Sequence, residues 1–136
     1  MANDVTIRWE GGQRFRARGR AGTELMLDGE AELGASPMEA LLAALGACMG
    51  IDVVDILQKG REDVTAAALS LSGERAERPP RRFTTVTLRI VLEGRGLSRQ
   101  KAERAVELSR TTYCSVWNSM APDIDLRTEI EVRESS

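Results

Sequence analysis

The segment from Ser36 to Gly60 carries both a start signal and a stop signal for one long helix. Ser36, Pro37 and Glu39 stand at the N-cap, N1 and N3 positions of a capping box, in which serine and glutamate satisfy free backbone N–H groups. No proline follows inside the segment, and Lys59 and Gly60 supply a basic last turn and a C′ glycine. The sequence therefore predicts a helix of about 23 residues. Apolar residues at nearly every angle of its first half predict that it is central and buried.

Alternating apolar and polar residues predict strands on both sides of this helix. Three short strands are expected before it, a long hairpin after it, then a second helix and a last strand. The second helix is predicted to begin with Ser98 at its N-cap and to run to about Asn118. One face is predicted to carry Ala102, Val106, Ser109, Tyr113 and Trp117. The order βββ-α-ββ-α-β lacks strict alternation of strand and helix, which indicates an α+β fold. No internal repeat or linker interrupts residues 1–136, which are expected to form one domain.

The 136 residues include no histidine, and this absence excludes several kinds of active site. Ser-His-Asp and Cys-His nucleophile pairs cannot form, and neither can histidine-ligated zinc or iron centres. The two cysteines are too few for a four-thiolate metal site. Catalysis would have to use cysteine, the charged residues, tyrosine or the hydroxyl residues.

Charge and hydropathy bear on partners and location. The formal net charge of −2 gives no reason to expect nucleic acid or an anionic membrane as a partner. The N-terminal residues lack the basic end and apolar segment of a secretory signal, and the longest apolar run is too short to cross a bilayer. We therefore expect the protein in the cytoplasm, where cysteines rest as thiols.

The first cysteine, Cys48, lies in the middle of the predicted long helix, between Gly46 and Gly50. At the helical period, Asp52 and Asp55 share its face, and two carboxylates beside a thiol oppose thiolate formation. A reactive Cys48 would therefore need a cationic neighbour from another part of the chain. The alternative is a packed core thiol between small residues.

The second cysteine, Cys114, is predicted to fall about 60° outside the apolar arc of the second helix, at the rim of its packed face. Arg110 precedes it by one turn, and a guanidinium there would favour the thiolate. A semi-buried spare thiol is the alternative. Because both cysteines lie on long helices that must pack together, Cys48 and Cys114 can also form a disulfide if their thiols face each other.

The segments SPMEALLAALGACMGIDVVDILQKGR around Cys48 and YCSVWNSM around Cys114 resemble the OsmC/Ohr family of thiol-dependent hydroperoxide reductases, and its YhfA-like branch in particular. The resemblance implies an intertwined homodimer with two central helices packed by antiparallel sheets, and active sites at the subunit interface. It implies that Cys48 is the peroxidatic cysteine, which a hydroperoxide substrate oxidises to a sulfenic acid. Cys114 would be the resolving cysteine, which forms a disulfide that an external dithiol reduces. No cofactor and no metal are expected.

The sequence departs from the family's pattern at Met38. The peroxidase branches carry a glutamate directly after the proline, and it holds an arginine beside the reactive thiol. Here the neighbouring Glu39 is one residue away and lies on the opposite face of the helix from Cys48. The leading interpretation is a thiol peroxidase for organic hydroperoxides or a related thiol redox protein. The alternative is a non-enzymatic dimer of the same fold that binds a small apolar ligand between its subunits.

Overall fold

The computed structural model describes all 136 residues, Met1 to Ser136. Helices combine with two three-stranded sheets in the order βββ-α-ββ-α-β, which confirms the predicted α+β class. The chain divides into two compact units, Met1–Leu41 and Leu42–Ser136. The boundary between them falls inside the first helix. The expectation that residues 1–136 form a single domain stays a prediction.

The first unit contains an antiparallel meander. Its strands are β1 (Thr6–Trp9), β2 (Arg14–Arg18) and β3 (Glu24–Asp28), in the spatial order β1-β2-β3. The turn between β1 and β2 uses Gly11 and Gly12, both at positive φ, a region that glycine enters without the steric cost of a Cβ. One face of the meander is apolar and largely exposed, and it includes Ile7, Trp9, Phe15 and Leu25.

The first helix, α1, spans Pro37–Lys59, with the start and end that the sequence predicts. Its capping box forms, because the Glu39 N–H donates to Ser36 Oγ at 3.1 Å and the Ser36 N–H donates to Glu39 Oε1 at 2.9 Å. By length and composition alone, α1 could also cross a membrane, a test that the core helix of a soluble protein passes too. Burial differs from the expectation. Within the chain only one face of the helix is buried, and Ile51 on the opposite face is 69% exposed.

The second unit contains a mixed sheet. Strands β4 (Asp63–Arg75) and β5 (Phe83–Arg95) form the predicted antiparallel hairpin, whereas β6 (Asp125–Glu134) pairs with β5 in parallel. The expectation of purely antiparallel sheets is therefore wrong for this last pair. The chain crosses between β5 and β6 through a helix, and such a crossover returns the strand in the same direction. The buried core of this unit combines residues of the strands and of α1, among them Leu45, Met49, Val86, Leu88, Ile90 and Leu92.

The second helix, α2, spans only Arg99–Leu108, so the predicted continuation to Asn118 is wrong. It begins as predicted, because Ser98 Oγ accepts a hydrogen bond from the Lys101 N–H at 3.2 Å. A π-helical turn follows at Ser109–Tyr113, and a short 3₁₀ turn lies at Trp117–Ser119. A π turn inserts an extra residue into the helical ladder, so every side chain after it changes direction.

Candidate functional site: two thiols and a carboxylate

Cys48 lies on the half-buried side of α1. The two glycines near it have a packing role against β4. A Cβ added at Gly46 would lie 2.7 Å from Leu71 Cδ1, and one added at Gly50 would lie 3.2 Å from Leu69 Cδ1. The glycines therefore let the leucines of β4 approach the helix closely, while Cys48 faces another neighbour.

That neighbour is Cys114. Cys48 Sγ, Cys114 Sγ and a carboxylate oxygen of Asp52 all lie within 4.8 Å of one another. Both cysteines are free thiols. Asp52 follows Cys48 by four residues, so the two side chains are neighbours on one helix face. The structure thus brings together the two cysteines singled out in the sequence and adds a carboxylate to them.

Cys114 is fully buried, which contradicts the expectation of a position at the rim. The π turn before it, closed by a 2.7 Å hydrogen bond from the Cys114 N–H to the Ser109 carbonyl, turns the side chain inward. Burial raises the pKa of the Cys114 thiol to about 11, and the nearby Cys48 adds to this effect. The Trp117 N–H donates a hydrogen bond to Cys114 Sγ at 3.3 Å, and this bond offsets part of the rise in the pKa of Cys114. Burial therefore sets the direction of the pKa shift of Cys114, opposite to the thiolate-favouring effect expected from Arg110.

Asp52 is held in place by a serine from the π turn. Ser109 Oγ donates a 2.8 Å hydrogen bond to Asp52 Oδ2, and Ser109 is fully buried. The helical period predicts Asp52 on the face of Cys48, but it does not predict the hydrogen bond with Ser109 or the proximity to Cys114. A signal for this contact was present, because a serine on the apolar face of a helix needs a hydrogen-bond partner once it is buried.

Glu39, the glutamate nearest to the position occupied by Met38, is engaged at the start of α1. Its carboxylate accepts the Ser36 N–H, and this hydrogen bond, together with one from the Ser36 side chain, lowers the pKa of Glu39. Glu39 thus acts as a capping residue, as its position in the sequence predicts.

The three side chains allow two kinds of chemistry. A rotation of the side chains would bring the two sulfurs from their present separation to the bond length of a disulfide, about 2.05 Å. Two thiolates and a carboxylate are also ligands that zinc takes in proteins. Either chemistry would use Cys48 as the accessible group, since Cys114 is closed off from solvent.

Comparisons with known proteins place the chain in a family. Residues 28–129 match the family model described as OsmC-like protein. Protein YhfA of Escherichia coli K12 is 39% identical over 127 residues, which cover 93% of this chain and 95% of YhfA.

Two solved structures show how widely the fold is shared. A hypothetical protein from Aquifex aeolicus superimposes with a TM-score of 0.91 at 29% identity, over 100% of this chain and 99% of that one. The organic hydroperoxide resistance protein OhrB of Bacillus subtilis superimposes with a TM-score of 0.65 at 18% identity, over 96% and 98% of the two chains. At that identity, the likeness to OhrB concerns the fold alone. Because the family model covers most of the chain and YhfA matches nearly all of it, the chain belongs to the OsmC-like family, as the motifs around its two cysteines predict.

Proposed function

We propose that the protein is a thiol-dependent oxidoreductase that reduces organic hydroperoxides with Cys48 and Cys114. The observation that carries this proposal is the separation of the two sulfurs, within 4.8 Å in a chain that has no histidine. Kinship with a family that includes organic hydroperoxide resistance proteins supports the choice of substrate. The reaction needs no cofactor, because the electrons come from the thiols.

In the first step, Cys48 Sγ attacks the terminal oxygen of the hydroperoxide. The O–O bond breaks, an S–O bond forms, and the leaving alkoxide takes a proton to become the alcohol. Cys48 attacks because it is half-buried, whereas Cys114 is fully buried and has a raised pKa. Asp52 lies within 4.8 Å of both sulfurs. Its charge disfavours a resting thiolate, but its carboxylate can take the thiol proton as Cys48 attacks and pass it to the alkoxide. Asp52 thus places a carboxylate beside the thiols, although Met38 occupies the position at which the peroxidase branches carry a glutamate.

In the second step, Cys114 resolves the sulfenic acid. Its sulfur attacks Cys48 Sγ, the S–O bond breaks, and the hydroxide leaves as water with the proton of the Cys114 thiol. An external dithiol then reduces the disulfide and restores both thiols. We keep the cytoplasm as the proposed location, since such dithiols maintain a reduced state there. Nucleic acid and membrane stay predicted non-partners.

We also propose that the protein works as a homodimer. In the second unit, α1 and β4 form an apolar groove of about 670 Å³ whose lining includes Ala43, Ala47 and Ile51. In the first unit, Ile7 and Trp9 are 60% and 63% exposed on one face of the meander. Exposed apolar surfaces such as each of these are typical of protein interfaces. The same groove supports the second candidate function, the binding of a small apolar ligand.

In the test, the reduced protein is mixed with cumene hydroperoxide and the remaining free thiols are counted. We expect both cysteines of each chain to be consumed and a Cys48–Cys114 disulfide to be found by peptide mass spectrometry. Cys114→Ser should stop at a Cys48 sulfenic acid that dimedone traps, and Asp52→Asn should slow the first step. Asp55→Asn, one turn further along the exposed side of α1, is the matched control. Full peroxide consumption by Cys48→Ser would overturn the proposal. In that case a co-purifying apolar compound would favour the ligand-binding function.

A further inference from the structure

The three side chains at the thiol site also have the composition of a metal site. Zinc is commonly bound by cysteine thiolates and carboxylates, and many zinc sites use three protein ligands with water in the fourth position. Magnesium and calcium prefer oxygen ligands throughout and do not suit two sulfurs. The chemistry of Cys48, Cys114 and Asp52 therefore selects a soft divalent ion.

The geometry is close to what such an ion requires. With Zn–S bonds of about 2.3 Å and Zn–O bonds of about 2.1 Å, the ligand atoms around one tetrahedral ion stand roughly 3.5 Å apart. The three donor atoms lie within 4.8 Å of one another before any ion is bound. Small rotations of Cys48 and Asp52, which are both half-buried, would close the remaining distance. Cys114 is fully buried and would be the inner ligand.

The surroundings of Asp52 favour a cation. Asp55, one turn away on the same helix, forms a 2.9 Å ion pair with Lys59. Asp52, in contrast, is more buried than Asp55 and has no ion pair within 4.0 Å. Its hydrogen-bond partner is the neutral Ser109, which holds Oδ2 and leaves Oδ1 available as a ligand. An outer hydrogen bond that orients a ligating carboxylate is a regular feature of metal sites.

We propose that the reduced protein binds one zinc ion through Cys48 Sγ, Cys114 Sγ and a carboxylate oxygen of Asp52, with water as the fourth ligand and Ser109 orienting the carboxylate. This site excludes the disulfide, because the same two sulfurs cannot bind the ion and each other. When a hydroperoxide oxidises the zinc-bound pair, the sulfurs give two electrons to the O–O bond. Two protons complete the alcohol and water, the disulfide forms, and the zinc ion is released. The site thus couples the metal to the redox state of the thiols.

Metal binding is tested without peroxide, so its outcome is independent of the proposed peroxidase activity. Co²⁺ is the probe, titrated under anaerobic conditions into the full chain after reduction and treatment with a chelator. We expect one Co²⁺ per chain, with the thiolate-to-cobalt charge-transfer absorption and the visible bands of a tetrahedral ion, all abolished by Zn²⁺. The oxidised protein should show none of these bands, since it has lost both thiolates. Absence of the charge-transfer band from the reduced protein would overturn the proposal.

Variants at the proposed ligands are compared with a variant at a neighbouring residue that is not a ligand. Asp52→Asn keeps an oxygen that can accept from Ser109 but loses the charge, so we expect it to bind Co²⁺ at least tenfold more weakly. Asp55→Asn should bind Co²⁺ with unchanged affinity. Cys48→Ser removes the more accessible thiolate with little risk to folding, and it should lose most of the charge-transfer band. Circular dichroism checks that each variant is folded. Equal Co²⁺ affinity in Asp52→Asn and the parent protein would overturn the assignment of Asp52 as a ligand.

Discussion

Ser109 and Asp52, which are 57 residues apart in the chain, are joined by a 2.8 Å hydrogen bond from Ser109 Oγ to Asp52 Oδ2. The bond ties the π turn that precedes Cys114 to the helix that carries Cys48. It therefore fixes both the carboxylate and the approach of the two thiols.

Ser109→Ala should destabilise the fold. It removes the donor to Asp52 and leaves a half-buried carboxylate without its partner, a loss of about 1–3 kcal/mol in the free energy of unfolding. Urea denaturation of the reduced protein measures the effect. Ser115→Ala, at an exposed position two residues after the π turn, is the control and should unfold like the parent protein. Equal midpoints for the two variants would mean that the hydrogen bond contributes nothing to stability.

The two cysteines should react with iodoacetamide at different rates in the folded, chelator-treated protein. Cys48 is half-buried and should be labelled first, whereas Cys114 is fully buried. Because the pKa of Cys114 is raised to about 11, its thiolate is scarce at neutral pH, and its labelling rate should keep rising until the pH approaches that value. Peptide mass spectrometry after timed quenching gives both rates. In urea the difference should vanish, and equal rates in the folded protein at pH 8 would contradict the prediction.

Alanine at the two glycines of α1 should have unequal effects. Gly46→Ala places a Cβ 2.7 Å from Leu71, so the leucine must shift, whereas Gly50→Ala meets Leu69 at 3.2 Å. Both changes gain helix propensity, up to about 1 kcal/mol each. We expect Gly46→Ala to be less stable than Gly50→Ala by about 1–2 kcal/mol, because overpacking opposes the gain at the first site. Thermal unfolding compares them directly, and the reverse order would show that β4 adapts without cost.

Ile51→Glu should prevent self-association. Ile51 is 69% exposed in the apolar groove, so a charge there would stay hydrated in a monomer but would be buried in the proposed dimer. Light scattering after size exclusion should show a dimer for the parent protein and a monomer for the variant. Gln100→Glu makes the same change in charge at an exposed position on α2 and should stay dimeric. A parent protein that is monomeric at all concentrations would remove the basis for this prediction.

Local signals in the sequence determined the start and end of α1, the N-cap of α2, the β1–β2 turn and the order of elements. Caps and turns are contacts between residues three or four positions apart, so a short segment specifies them. The sequence also singled out Cys48 and Cys114 as candidate reactive residues, and the family match confirmed the fold that their motifs predict.

Tertiary structure alone decided the rest. The end of α2 at Leu108 and the π turn after it carry no strong local signal, yet they bury Cys114 and aim it at Cys48. The parallel pairing of β5 with β6 depends on the path of the crossover. The meeting of Asp52 with Ser109 joins distant parts of the chain, and such contacts arise only when whole elements pack together. Two thiols became one site with a carboxylate because the helix that carries one of them and the turn that carries the other share a core.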